Sequence, residues 1–141
     1  MKKLFVLLFL AIFGMNGAWA DYDDEGEEPR IVVEAYFFAL EHENFDGAYS
    51  LYSDDLKDKL GGARNFEYTI KADFPQLAMH QGREVVTANA ANGGAMIVKV
   101  LIVDPDTKIY NVMFSLQIEQ TLWKIKSVTL LQIGESVKSP I

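Results

Sequence analysis

The chain contains no cysteine. Disulfides, thiolate metal sites, a cysteine nucleophile and a lipid carried on cysteine are therefore excluded. It has two histidines, His42 and His80, with no second histidine three or four positions from either, so no paired-histidine zinc motif exists. Glu41-His42-Glu43 falls at an expected helix end and reads as a solvated face. His80, beside Gln81, reads as a surface histidine in a loop. Four prolines and ten glycines among 141 residues rule out collagen-like and proline-rich classes. Basic residues are also few, 13 against 20 acidic ones, for a formal net charge of −7. That balance argues against nucleic acid or an anionic membrane as partner, since both attract basic surfaces. What is abundant is apolar: 50% of residues are hydrophobic, too many for a disordered chain. The length suits one domain.

The first twenty residues read as an address. Lys2 and Lys3 form a positive start, Leu4 to Phe13 is an apolar run, and Ala18-Trp19-Ala20 places small residues around a cleavage site. These are the three parts of a secretory signal peptide, with cleavage expected between Ala20 and Asp21. Asn16 and Gly17 interrupt the run well short of the roughly 20 apolar residues of a membrane span. The expected destination is the periplasm or the exterior, with no membrane anchor left after cleavage. Losing Lys2 and Lys3 takes the 13 bases to 11 against 20 acids, or −9. Six of those acids lie in the leader Asp21 to Glu28, which has no base, so residues 29–141 carry only −3. A self-repelling disordered arm is expected for 21–28.

From residue 29 the pattern is helical. Pro29 suits a first helical turn, and Val33, Tyr36, Phe37 and Leu40 recur at spacings of three and four. Val32, Ala35 and Ala39 widen the stripe, so most of this helix is expected to be buried. Phe45 to Tyr52 predicts a short second helix. Ser53 caps a third that Gly61-Gly62 ends. Asn65 is the expected cap of a fourth, which carries Phe66, Ile70 and Phe74 on one face and stops at Pro75. After Gly82 the period becomes two. Strands are expected over 83–91, 95–103, 108–119 and 122–132. Asn92-Gly93, Asp104-Pro105-Asp106 and Gln120-Thr121 make the turns. In the third strand Tyr110, Val112, Phe114, Leu116 and Ile118 face one way, and Trp123 and Ile125 continue that set in the fourth. Val128 and Leu130 then fall on the opposite parity, so either a β-bulge near Ser127 shifts the register or both faces are covered there. Helices first and an antiparallel meander after give an α+β, single-domain class. The domain is expected over 29–133, with a flexible tail at 134–141.

The helix ending in Ala39-Leu40, the following Asn44-Phe45-Asp46-Gly47-Ala48-Tyr49-Ser50-Leu51, the segment Phe66 to Pro75, and the late Trp123-Lys124-Ile125 together resemble the nuclear transport factor 2-like superfamily. This is the cystatin-like cone shared with ketosteroid isomerase and scytalone dehydratase. The resemblance covers Pro29 to about Ile133 and is similar to bacterial exported members. It implies helices packed on a curved antiparallel sheet, with a pocket at the open end of the cone. Tyr36, Tyr52, Tyr110, Phe114 and Trp123 would line that pocket.

Local chemistry is sparse. Asp104 and Asp106 begin like a calcium loop, but Ile109 and Ser115 stand where the loop needs glycine and glutamate. Gly61-Gly62 and Gly93-Gly94 lack a phosphate-loop lysine, and no Gly-x-Ser-x-Gly elbow is present. No metal or cofactor is expected. Cofactor-free acid–base catalysis would need a carboxylate in an apolar pocket facing a tyrosine donor. Asp73 is the candidate base, with Tyr36 or Tyr52 as donor. The reading adopted is an exported, non-catalytic domain that binds a small apolar ligand or a protein partner. A cofactor-free isomerase or lyase is the alternative. A structural homodimeric module is another, since Ile97, Leu101, Met113, Leu122, Val128 and Leu130 interleave with polar residues on the outer sheet face.

Overall fold

The computed structural model describes residues 27–135. The expected signal peptide, the expected leader as far as residue 26 and the chain beyond residue 135 lie outside the described residues. Helix α1 spans Glu27–Glu41, with Pro29 in its first turn, where a missing N–H costs no hydrogen bond. Val33, Tyr36, Phe37 and Leu40 are buried. Ala35 is exposed, and so are Ile31 and Phe38, at 57% and 59%. At about 100° per residue, position 35 stands nearly opposite Val33, so it cannot widen the buried stripe as the sequence reading expected.

Four short helices follow. Helix α2 is Phe45–Tyr49, capped by the Asn44 side chain, which accepts from the Gly47 N–H at 3.0 Å. Helix α3 is Asp54–Leu60; Ser53 Oγ accepts from the Leu56 N–H at 3.2 Å, and Gly61 ends the helix at φ 80°. Helix α4, Ala63–Asp73, begins before the expected cap. Asn65 is already inside its first turn, and its side chain instead donates to the Gly61 carbonyl at 3.4 Å. Pro75 both stops α4 and opens α5, Pro75–Ala78. Among the described residues no helix is long and apolar enough to cross a membrane.

Strands β1 (Gly82–Ala90), β2 (Met96–Val103), β3 (Lys108–Glu119) and β4 (Leu122–Glu135) form a curved antiparallel sheet in the order β1-β2-β3-β4. Strand β4 thus runs two residues past the expected domain end at 133. In the β2–β3 turn the Asp104 carboxylate accepts from the backbone N–H groups of Asp106 and Lys108, both at 2.9 Å. This buried aspartate is a turn-builder. The fold is α+β, one domain, and among the described residues the five α-helices precede the sheet, with a single 3-10 turn at Asn92–Gly94 between β1 and β2.

The inner sheet face presents Val98, Val100, Ile102, Val112, Phe114, Leu116 and Ile125, each 0% exposed. Ser115 pairs with Ser127, but Leu116 pairs with Ile125, so Lys126 is an extra residue in β4. This bulge resolves the parity change. Beyond it Val128 and Leu130 stand opposite Phe114 and Val112 and pack against the core. They do not point outward, as the outer-face expectation had them. Ile118, by contrast, extends past the covered area and is 55% exposed despite its inward parity. The helices are tied to β4 by backbone: the Ser53 N–H donates to the Ile125 carbonyl at 2.8 Å, and the Ile125 N–H donates to the Leu51 carbonyl at 2.9 Å.

Ile125→Ala should cost about 2–5 kcal/mol, because a fully buried side chain leaves a cavity. Ile118→Ala should stay within about 0.5 kcal/mol. Urea unfolding of the two variants checks the pair, and equal losses would show that the β4 register is wrong.

Candidate binding cavity

Helix α1 brings Tyr36 over the sheet, and the bridge at Ile125 brings Tyr52 beside it. Their hydroxyl oxygens lie 2.6 Å apart, and the side chains are 0% and 4% exposed. Around them the aromatic rings pack edge to face: Tyr36 on Phe114 at 5.4 Å between centroids, and Tyr52 on Phe66 at 5.1 Å. Both tyrosines open onto a cavity of about 110 Å³. Leu56 and Leu60 of α3 and Phe66, Thr69 and Ile70 of α4 form its helical walls. Leu77 of α5 and Val128 and Leu130 of β4 complete it, with Phe74, 37% exposed, on its solvent side.

Two hydroxyls facing each other share only one of their two hydrogens. One O–H is donated within the pair; among the described residues the other has no acceptor. Burial holds both hydroxyls in the protonated form, pushing their ionisation well above the ordinary tyrosine value of 10.0. At neutral pH the pair therefore donates and accepts hydrogen bonds and carries no charge.

The expected pocket residues divide. Tyr36 and Tyr52 meet in the cavity. Phe114 lies beneath them, packed against Tyr36 and against Phe37 at 5.6 Å, and does not line it. Tyr110 stands elsewhere on the sheet, where its hydroxyl accepts from Gln76 Nε2 at 3.2 Å. Trp123 lines a separate surface groove with Ile31, Val32 and Leu122. Asp73 is exposed on the last turn of α4 and is not among the cavity-lining residues. Its exposure to solvent, despite helical spacing from Ile70, sets it apart from the cavity as a candidate base. Leu56, Leu60, Thr69, Leu77, Val128 and Leu130 escaped the sequence reading. The parity change at Ser127 was the one signal that could have placed the last two.

His80 is a second correction. Its side chain is only 2% exposed and is held at both ring nitrogens. Nδ1 lies 3.0 Å from the Gln76 carbonyl, which makes it the donor there. Nε2 lies 3.3 Å from Arg83 Nη1 and 3.2 Å from a Glu41 carboxylate oxygen. Arg83 also pairs with Glu41 and with Glu34, the latter at 3.0 Å, and stacks over the Phe37 ring at 5.0 Å. The cluster straps β1 to α1. His42 is exposed, bonded to the Phe38 carbonyl at 2.9 Å. Among the described residues no three His, Asp or Glu side chains group as metal ligands.

Linkage fixes the sign of one pH effect. Below pH 10 both tyrosines are protonated in folded and unfolded chains alike. Above it the unfolded chain releases protons that the folded chain keeps, so stability falls as pH rises. Urea midpoints between pH 9 and 11 should decline less steeply in a Tyr36→Phe, Tyr52→Phe double variant than in the wild type. Each tyrosine accounts for up to about 1.4 kcal/mol per pH unit. Parallel declines would mean the pair is not buried.

The family model that matches the chain, over residues 23–136, is described as a domain of unknown function (DUF4864). No curated protein matches the chain.

Proposed function

Since the chain belongs to the DUF4864 family, whose description carries no activity, we propose a function on the geometry of the cavity: an exported, non-catalytic domain that holds a small, largely apolar molecule bearing one hydrogen-bond acceptor. One observation carries this reading. The cavity is walled by apolar side chains, and its polar groups are Thr69 and the uncharged Tyr36–Tyr52 pair, with no carboxylate or imidazole among the lining residues. The spare tyrosine hydrogen offers a partner to a ligand carbonyl, ether or hydroxyl oxygen. An acid–base enzyme would need a charged base within reach of the reacting atoms, and Asp73, the candidate, faces solvent. The volume bounds the ligand: about 110 Å³ is less than the roughly 150 Å³ of an apolar cavity that accepts benzene. A larger guest requires Phe74 to move aside.

Chain lacking residues 1–20, titrated with isobutene and its isostere acetone, both small enough for the cavity, should show methyl NMR shifts at Leu77, Val128 and Leu130, with the ketone bound more tightly. The Tyr36→Phe, Tyr52→Phe double variant should weaken the ketone by about three- to tenfold, one hydrogen bond's worth, and leave isobutene alone, whereas either single variant still leaves one hydroxyl hydrogen to donate. No methyl response to either probe would defeat the proposal. So would a turnover that Asp73→Asn abolishes.

A second reading concerns the opposite sheet face and a second copy of the chain. Ile97, Leu101, Val103, Ile109 and Met113 lie there half-buried, beside an exposed Leu131, and among the described residues no helix packs over them. A mixed apolar and polar face of this kind suits self-association. Analytical ultracentrifugation should find a dimer that Leu101→Lys dissociates; a monomer at high concentration would rule the dimer out.

A further inference from the structure

A second hollow lies on the other side of Ile70, where the C-terminus of α1 meets α4 and α5. Its volume is about 300 Å³, the lower end of the range for small-molecule sites. Leu40, Phe45, Ile70, Ala78 and Met79 make its apolar surface, and Glu41, Glu43 and Lys71 its charged edge. The carboxylates around it outnumber the cations. Glu41 is held by Arg83 and His80. Lys71 is bonded to Glu67 at 2.8 Å and lies over the Phe45 ring at 5.3 Å. Glu43, exposed and fixed at φ 59° just past the helix end, donates its backbone N–H to the Leu40 carbonyl at 3.1 Å; its carboxylate makes no hydrogen bond or ion pair among the described residues and adds, after Glu67, to the charge that pushes the Lys71 pKa up.

An apolar hollow edged by one unmatched carboxylate selects for a particular chemistry. We propose that this groove binds an apolar amine, a hydrocarbon body carrying a single ammonium group. The body covers Ile70, Ala78 and the 62%-exposed Met79, and the ammonium sits against Glu43. An anionic amphiphile of the same shape meets Glu41 and Glu43 instead and is repelled. A zwitterion would have to displace Glu67 from Lys71 to gain its second contact. The site is separate from the tyrosine-lined cavity and does not depend on it.

Methionine supplies the probe, because Met79 lies in the groove, Met96 in the core and Met113 on the outer sheet face. Chain lacking residues 1–20, labelled with ¹³C at its methionine methyls, is titrated with n-hexylammonium, n-hexanol and hexanoate. The Met79 methyl should shift saturably with hexylammonium while Met113 stays in place, and hexanoate should bind about tenfold more weakly. Glu43→Gln should lower hexylammonium affinity by about fivefold, as expected for one partly exposed ion pair, and leave hexanol unchanged. Lys71→Met should tighten hexylammonium, a gain that misfolding cannot produce. The proposal is overturned if hexanoate binds as well as hexylammonium, if Glu43→Gln leaves the preference intact, or if the shifts appear at Leu77 and Val128 rather than Met79.

Discussion

Helix α1 and the short helices can bury their apolar side chains against only one side of a four-stranded sheet. Everything in the fold depends on that side staying apolar to the end of β4. Strict alternation would break it, because Val128 and Leu130 have the wrong parity relative to Ile125. The extra residue at Lys126 restores it, turning both side chains inward opposite Phe114 and Val112. The same bulge lies next to Ile125, whose backbone holds Ser53 and Leu51. One local irregularity thus positions the helical layer and supplies one wall of the cavity. Bulges commonly re-aim side chains in this way.

The tyrosine pair inside this layer is neutral, and the charged groups that tie α1 to β1 stay at its margin. Tyr36 and Tyr52 share one hydrogen bond in the core, at a depth where an ion would need several compensating bonds. Glu34, Glu41, His80 and Arg83 do their work at the rim, where α1 and β1 meet and water still reaches three of the four side chains. The arrangement leaves a largely apolar cavity wall with one tyrosine hydrogen uncommitted. Such a wall suits recognition of an uncharged molecule better than proton transfer.

Much of the architecture was legible in the chain. Strand β3 was delimited to the residue, since its alternation is clean and its flanking turns are strong. Ser53 and Gly61 marked α3 because a cap and a left-handed stop act locally. The site was legible only in part. Tyr36 and Tyr52 were read as pocket residues and do meet there. Tyr110, Phe114 and Trp123 share a face with them in pattern, but they sit at other places along the strands, and parity says nothing of position along a face. Asn65 failed as a cap because Gly62 already started the helix, and Ala35 failed as a core residue because small size does not fix a helical angle. His80 was read as loop surface; Arg83 is close by in the chain, but the Glu41 and Phe37 that enclose its ring come from α1, which no local window contains.

The sequence alone determined the class: helices then strands, the boundaries set by caps and turns, a core held without disulfides, and the absence of any thiol chemistry. Those features depend on contacts within a few residues, where spacing and side-chain type decide the energy. Tertiary structure decided the rest. It chose the bulge over two covered faces, brought the two tyrosines within hydrogen-bond distance, turned Asp73 to solvent, enclosed His80, and left Glu43 unmatched beside an apolar groove. Each of these depends on the distance between residues far apart in the chain, which is set only when the helical layer settles on the sheet.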